Sequence, residues 1–373
     1  MLYVSICRKH IKMKTKKHSS YFRKNIDNMT GYIPGEQPQD SLYIKLNTNE
    51  NPYAPSPKVL AALKDEIDER LRLYPDPVST GAREKVAEIF KTKPERVMVG
   101  NGSDDLLTII TRSFVSKDDK VVYPYPTYLL YKVLSDIQNA KECVIDFRED
   151  YSLPEEILVN GAAVTFMCNP NSPSGTMIPV AKISEIAGKI DGIIVVDEAY
   201  ADFAEDNCLR LVDKHPNLIV LRTLSKSYSL AGMRLGFAVA QKELINGMMK
   251  VKDSYNVDRL SMASAVAALD DQETFRQNVS RIIKTREYLT NSLKKLGFFV
   301  YPSQANFVMI KCEDSYEAKE IYRELKERKI LVRHIDQPRL DDCLRITIGT
   351  DKEIETLLEQ LAEVQLVLLN QNS

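Results

Sequence analysis

The sequence predicts an α/β fold in which a large domain is built on a mainly parallel sheet flanked by helices and is followed by a smaller α+β domain. Three observations lead there. From about residue 58 onward, short β-branched runs alternate with amphipathic segments, as successive βαβ units require. The runs lack polar alternation, so they read as strands buried on both faces, the condition of a parallel sheet covered by helices. Near residue 277 the alternation gives way to long helical stretches with strand runs between them.

The elements follow in order. "RVMVGN" precedes "SDDLLTIITRSF", "DKVVYPYP" precedes "TYLLYKVLSDI", and "AAVTFMCNP" precedes "VAKISEIAGKI". "DGIIVVDEAY", "NLIVLRTLSK" and "LGFAVA" supply further strands. Beyond them come the helix "QNVSRIIKTREYLTNSLKKLG", the strand region "FFVYPSQANFVMIKC", the helix "SYEAKEIYRELKERKI", the strands "ILVRHI" and "CLRITIGT", and a last helix. The expected divisions are a basic arm over 1–28, a segment over 29–57 joining the small domain, a large domain over 58–276 and a small domain over 277–373.

Composition narrows the function classes. The 373 residues, 44% of them hydrophobic, can bury substantial cores. A net charge of −1 gives no overall basic surface of the kind nucleic acid selects. The basic excess is local: Arg8, Lys9, Lys12, Lys14, Lys16, Lys17, Arg23 and Lys24 lie in the first 25 residues, which leaves about −9 on the rest. That arm is too rich in lysine for a typical transit peptide and reads as a solvated extension or an early start, with Met13 as the alternative start. The six cysteines have no C-x-x-C spacing and form no metal or disulfide framework, which suits a reducing cytoplasm. No apolar stretch approaches the ~18 residues of a membrane span.

In such sheets ligands gather at the carboxyl ends of the strands, and several ends carry unusual residues. In "GNGSDDLL", Gly100 and Gly102 permit a tight turn and Ser103 or Asp104 can cap the next helix, leaving backbone N–H groups for an anion. "YPTY" places Tyr128 at a helix start, where its ring could stack on a heterocycle. "NPNSPSG" makes a rigid turn with Asn171 at the strand end. Asp197 leaves a fully apolar strand in "IIVVDEAY", a costly place for a carboxylate without a partner, and a salt bridge would satisfy it equally well. In "TLSKSYSLAGMRLGF", Lys226 has the placement of a Schiff-base lysine, and Arg234 follows eight residues later. Pyridoxal phosphate meets all these demands, with an aldehyde for the lysine, a pyridinium N–H for the aspartate, a ring face for the aromatic and a phosphate for helix terminus and arginine.

The ordered set "GNGSD", "YPTY", "NPNSPSG", "VVDEAY" and "TLSKSYSLAGMRLGF" resembles the class II, fold-type I pyridoxal-phosphate-dependent aminotransferases, and among them the branch that acts on histidinol phosphate. "GYIPGEQP", "LNTNENPY", "RLYPDP" and "CLRITIGT" extend the likeness over about residues 30–350. The resemblance implies that Lys226 carries the cofactor as a Schiff base and then moves the proton. It implies that Asp197 pairs with the ring nitrogen, Tyr200 bonds the phenolic oxygen and Tyr128 stacks on the ring. Gly102, Ser103, Ser225 and Arg234 would hold the phosphate, with Asp104 ordering the loop. Tyr74 would reach the phosphate of a second subunit, so the resemblance also implies a homodimer with shared sites.

Arg345, Arg333 and Asn49 are the expected substrate-binding residues, since a forked guanidinium suits phosphate and carboxylate alike. The implied substrates are histidinol phosphate and glutamate or 2-oxoglutarate. An aromatic or broad-specificity aminotransferase, a phosphothreonine decarboxylase and a non-catalytic regulator that binds the cofactor are the alternatives. Two positions depart from the family pattern: Ser172 stands where asparagine is common, which leaves Asn171 or Ser172 to contact the phenolic oxygen, and Asp105 stands where glutamate is frequent.

Overall fold

The computed structural model describes residues 21–38 and 42–371. Residues 1–20 of the basic arm lie outside the described residues. Lys24–Asn28 is a short helix, and the Asn25 amide donates to the carbonyls of Asp136 (2.7 Å) and Ile137 (3.1 Å).

In chain order the strands are β1 (Ile44–Lys45), β2 (Val97–Asn101), β3 (Lys120–Tyr125), β4 (Lys141–Asp146), β5 (Ala162–Cys168), β6 (Ile193–Asp197), β7 (Leu218–Thr223), β8 (Leu235–Val239), β9 (Phe299–Val300), β10 (Phe307–Lys311), β11 (Ile330–Leu331), β12 (Arg333–His334) and β13 (Cys343–Thr347). Seven of them form one sheet in the order β2-β8-β7-β6-β5-β3-β4. Its neighbours run parallel except β8, which is antiparallel to β2 and to β7. The apolar runs behave as their lack of alternation requires. Ile194, Val196, Leu218 and Val220 enter the core on one face, and Val195, Ile219 and Leu221 enter the core on the other. Each such side chain contributes roughly 1.5–3 kcal/mol on burial, so a polar residue in either register is expensive.

Helices cover both faces. Gly102–Phe114 lays Leu106, Leu107, Ile109 and Ile110 on the sheet. Pro57–Glu66 begins where Ser56 accepts from the Lys58 N–H (3.1 Å), with Pro57 at the first position, where its missing N–H costs nothing. Gln272–Lys295 starts at Asp271, which accepts from the Thr274 N–H (3.3 Å), and packs with Ser315–Glu327 and Asp351–Gln371 over a four-stranded antiparallel sheet ordered β12-β13-β10-β9. No helix among the described residues is long and apolar enough to cross a membrane.

Two arrangements position the site. Because β3, β5, β6 and β7 are parallel, the segments leaving their carboxyl ends converge on one edge. From the other side, β1 pairs in parallel with β11, and the Thr347 N–H donates to the Leu46 carbonyl (2.9 Å), which carries residues 47–51 onto the same edge. Gly236 in β8 lets the helix Gly102–Phe114 come down on the sheet: a Cβ there would lie 2.7 Å from the Ser103 nitrogen and 2.8 Å from the Gly102 carbonyl carbon. Gly236→Ala is therefore expected to lower stability by about 1–3 kcal/mol. A fall in denaturant midpoint at unchanged m-value would show it, and an unchanged midpoint would mean that the helix has room to move.

Candidate active site

A cavity of about 430 Å³ opens where these segments meet. Of the residues singled out from sequence, Gly100, Asp105, Asn171 and Tyr74 do not line it, Gly102 packs against Arg234 at its edge, and the others do.

At one end is the turn from β2 into the helix. Gly102 has φ +82°, and a Cβ would lie 2.7 Å from Arg234 Nη2, so the backbone there has room only for glycine. The N-cap is Asn101, without a side-chain cap, so the expectation that Ser103 or Asp104 caps the helix is corrected: both lie in its first turn, where N–H groups have no intrahelical acceptor. Asp104 accepts from the Tyr128 hydroxyl (3.0 Å) and faces Arg234 Nη2 at 3.5 Å. Asp105 points elsewhere, accepting from the Asn101 N–H (2.9 Å) and the Asn256 amide (3.0 Å), so it shapes the turn from behind.

Asp197, at the end of β6, is 3% exposed. Among the described residues no cation lies within ion-pair distance of it. Its partners are the Tyr131 hydroxyl (3.0 Å) and the Ala199 N–H (3.2 Å). Burial pushes its carboxyl up to about 6. Tyr131 was missed from sequence, although it follows Tyr128 by three residues in a helical run and so falls on the same face. The two rings meet edge to face at 5.7 Å, and Tyr32 packs edge to face on Tyr128 at 5.8 Å.

Lys226 is half-buried, and its Nζ donates to the Thr48 carbonyl (3.1 Å). Burial lowers its amine to about 8; Arg345 and Arg234 push the same way, while Glu50 and Asp104 oppose them. Glu50 is itself held below the usual carboxylate range, since bonds from Lys45 and Thr48 outweigh its burial. The loop is pinned by side chains: Thr223 donates to Ser225 (3.0 Å), and the Asn51 amide donates to the carbonyls of Lys226 (2.9 Å) and Ser227 (3.2 Å). Thr48, Glu50 and Asn51 gave no separate signal in the sequence, because only tertiary pairing brings them beside Lys226.

Tyr200 receives a bond from the Asn49 amide (3.0 Å), and burial pushes its phenol up to about 12 despite the opposing charge of Arg345. The Asn49 carbonyl oxygen accepts from Thr347 (3.0 Å), so Asn49 reaches the cavity with both ends of its amide engaged rather than as an unengaged substrate contact. Asn171 requires a correction. It is fully buried behind the wall, accepting from Thr127 (2.8 Å) and donating to the Pro126 carbonyl (3.1 Å) and to Ser174 (2.9 Å). The residue facing the cavity is Ser172, whose hydroxyl accepts from Arg345 Nη1 (3.3 Å).

Arg345 donates from Nη2 to the Asn47 carbonyl (3.0 Å) and lies over the Phe307 ring at 5.2 Å, while its buried Nε has no acceptor. No carboxylate among the described residues is within ion-pair distance of it. A half-buried guanidinium with no carboxylate partner and a buried, unpartnered Nε is a site for an anion. Arg333, half-buried on the same wall, donates to the carbonyls of Ile33 (3.3 Å) and Pro34 (3.4 Å) and so ties residues 33–34 to the rim. Tyr74 lies outside, 78% exposed and stacked on Tyr255 at 4.5 Å.

This cavity and fold define a class: a fold-type I enzyme in which an amine, a carboxylate and two separate anion cradles surround one space. Residues 42–361 match the model of the family described as aminotransferase class I and II, and the chain belongs to that family. It is 46% identical to histidinol-phosphate aminotransferase 1 of Nostoc sp., over 93% of this chain and 98% of that protein. It is 47% identical to the histidinol-phosphate aminotransferase of Geotalea daltonii, over 92% and 99%. Among solved structures it is similar to histidinol-phosphate aminotransferase from Sinorhizobium meliloti in complex with pyridoxal-5′-phosphate, with a TM-score of 0.86 and 25% identity over 94% of this chain and 99% of that one. The residues present fit that group: the cradle at Gly102 that a Cβ would fill, and an amine and a carboxylate that face the same space without pairing, match its phosphate, aldehyde and ring nitrogen.

Lys226 is expected to titrate far below surface lysines. Its reaction with an amine-selective reagent in the ligand-free protein should rise with a midpoint near pH 8, read by mass spectrometry of the labelled peptide; a midpoint above 10 would mean that the amine is solvated. In the unfolded chain the group keeps its ordinary value and binds more protons, so the burial penalty holds below about pH 8 and is relieved as pH rises toward 10.5.

Proposed function

We propose that this chain binds pyridoxal 5′-phosphate and moves an amino group between glutamate or 2-oxoglutarate and histidinol phosphate or imidazole acetol phosphate, a step of histidine biosynthesis. The observation that carries this reading is the unpaired state of Lys226, Asp197 and Arg345 around one cavity. The substrate follows from the relatives at 46% and 47% identity.

When bound, the cofactor supplies an aldehyde that condenses with amines and a ring that takes up the electron pair left at the substrate Cα. Lys226 would hold that aldehyde and would move the proton between the substrate Cα and cofactor C4′. An amine titrating near 8 is close to balanced for both transfers at neutral pH. Asp197 keeps the ring nitrogen protonated. Tyr200, oriented by Asn49, would hold the phenolic oxygen, with Ser172 rather than Asn171 as the second residue of that wall facing the cavity. Tyr128 covers the ring. The N–H groups of Gly102 and Ser103, the Ser225 hydroxyl and Arg234 hold the phosphate, and Asp104 steadies both Tyr128 and Arg234. Arg345 and Arg333 receive the carboxylate and phosphate of the substrates. One lysine serves both half-reactions, so ping-pong kinetics follow.

A homodimer with shared sites is part of this proposal. Its support is Tyr74, which is exposed and lies outside its own cavity. The cytoplasm is the proposed location, in keeping with the free thiols of Cys143, Cys168, Cys208, Cys312 and Cys343.

Asp197→Ala is expected to lower kcat roughly 100-fold or more by withdrawing charge stabilisation from the ring nitrogen; turnover within a factor of two of wild type would remove Asp197 from the mechanism. A screen of amino donors should place histidinol phosphate first by kcat/KM, ahead of phenylalanine, tyrosine and phosphothreonine. A preference for either aromatic amino acid, or release of carbon dioxide from phosphothreonine, would overturn the assigned substrate while leaving the cofactor reading in place.

A further inference from the structure

The buried ionic cluster beneath the cavity is not used by the chemistry above. Arg222, near the end of β7, is 4% exposed and donates from Nε to Glu198 (2.8 Å) and from Nη1 to Asp202 (2.5 Å). The second oxygen of Glu198 accepts from the Cys208 N–H (2.5 Å). The second oxygen of Asp202 accepts from the Ser227 hydroxyl (2.5 Å). None of these four side chains lines the cavity.

Their places in the chain give the cluster its meaning. Glu198 directly follows Asp197, and Ser227 directly follows Lys226. One guanidinium is therefore tied to the neighbour of each of the two groups that must face opposite ends of one ring. We propose that Arg222, Glu198, Asp202 and Ser227 form a clamp that sets the separation of Asp197 and Lys226, with Ser227 and Asp202 acting as positioning residues for amino transfer; this rests on the function proposed above.

Two observations separate a clamp from plain stabilisation. Ion pairs this deeply buried are poor stabilisers, because desolvation consumes most of their attraction and apolar packing would serve as well. The cluster also reaches the lysine loop by a single hydroxyl; among the described residues the other side-chain bonds of residues 226–227 run to residues 48–51, from the Asn51 amide to both carbonyls and from Lys226 Nζ to the Thr48 carbonyl. Removing that hydroxyl frees the loop on its sheet side while leaving both ion pairs to Arg222 intact.

The test compares wild type, Ser227→Ala and Ser227→Thr, each loaded with pyridoxal phosphate. For Ser227→Ala the expected result is a kcat lower by roughly tenfold or more, as misplacement by a fraction of an ångström produces. The KM for glutamate should stay within about twofold, and the pH midpoint of the visible cofactor absorbance should move. The thermal midpoint should fall by no more than about 4 °C, and Ser227→Thr, which keeps the hydroxyl, should recover most of the rate. Asp202→Asn, which removes the charge but not the Ser227 side chain, is the second variant and should show the same split if Ser227→Ala does not accumulate as folded protein. Wild-type kcat and absorbance midpoint in Ser227→Ala, or a loss of rate matched by unfolding with an unmoved midpoint, would overturn the clamp. A wild-type protein without a visible band or amino transfer would instead overturn the underlying function, and the clamp with it.

Discussion

An amine and a carboxylate face the same cavity and do not pair, and much of the structure serves to keep them apart. Lys226 bonds to the Thr48 carbonyl and Asp197 to the Tyr131 hydroxyl, so each has a neutral partner instead of the other. Burial drives their titrations toward one another, to about 8 and about 6, and each displacement is on the order of 3 kcal/mol. The signs agree. Asp197 burdens the folded state above about pH 6 and Lys226 burdens it below about pH 8, so both penalties are in force at neutrality. A ligand that gives each group its own counterpart relieves both, which couples cofactor affinity to folding stability.

Keeping two opposite charges unpaired needs a rigid frame on either side of the cavity, and the fold supplies one on each. Beneath lies the seven-stranded sheet, its central strands buried on both faces. Above lie residues 47–51, which form no long element of their own and are carried by the short pairing of β1 with β11 and by the Thr347 contacts to Leu46 and Asn49. The cavity therefore has one wall from each of two hydrophobic cores. A change in the packing of the antiparallel sheet reaches Lys226 through Thr48 without touching the large sheet.

The cations around the cavity divide by their company. Arg234 has Asp104 nearby and shares the helix terminus, so its charge is already directed at one end. Arg345 has no carboxylate and an unsatisfied Nε, so its charge is held open. This asymmetry is what a two-anion ligand set demands: one anion retained through the reaction cycle and another exchanged at each half-reaction.

The sequence by itself determined the architecture and, Glu50 aside, the charged residues that line the cavity. Strands such as Ile193–Asp197 and Leu218–Thr223 can be read because burial on both faces leaves an uninterrupted apolar run, and Asp197 and Lys226 stand out because charge at the end of such a run is costly. What only the tertiary structure decided is which neutral groups stand next to those charges. Tyr131 rather than a cation meets Asp197, Ser172 rather than Asn171 faces the cavity, and Thr48 and Ser227 hold Lys226 in place. Hydrogen bonds of this kind join residues distant in the chain and leave no periodicity, since a hydroxyl or carbonyl can serve at almost any position that packing happens to deliver. The turn at Asn171 shows the difference most directly: its composition specifies that the chain must bend, and only the packing of Thr127 and Ser174 against its amide settles which side chain is turned inward.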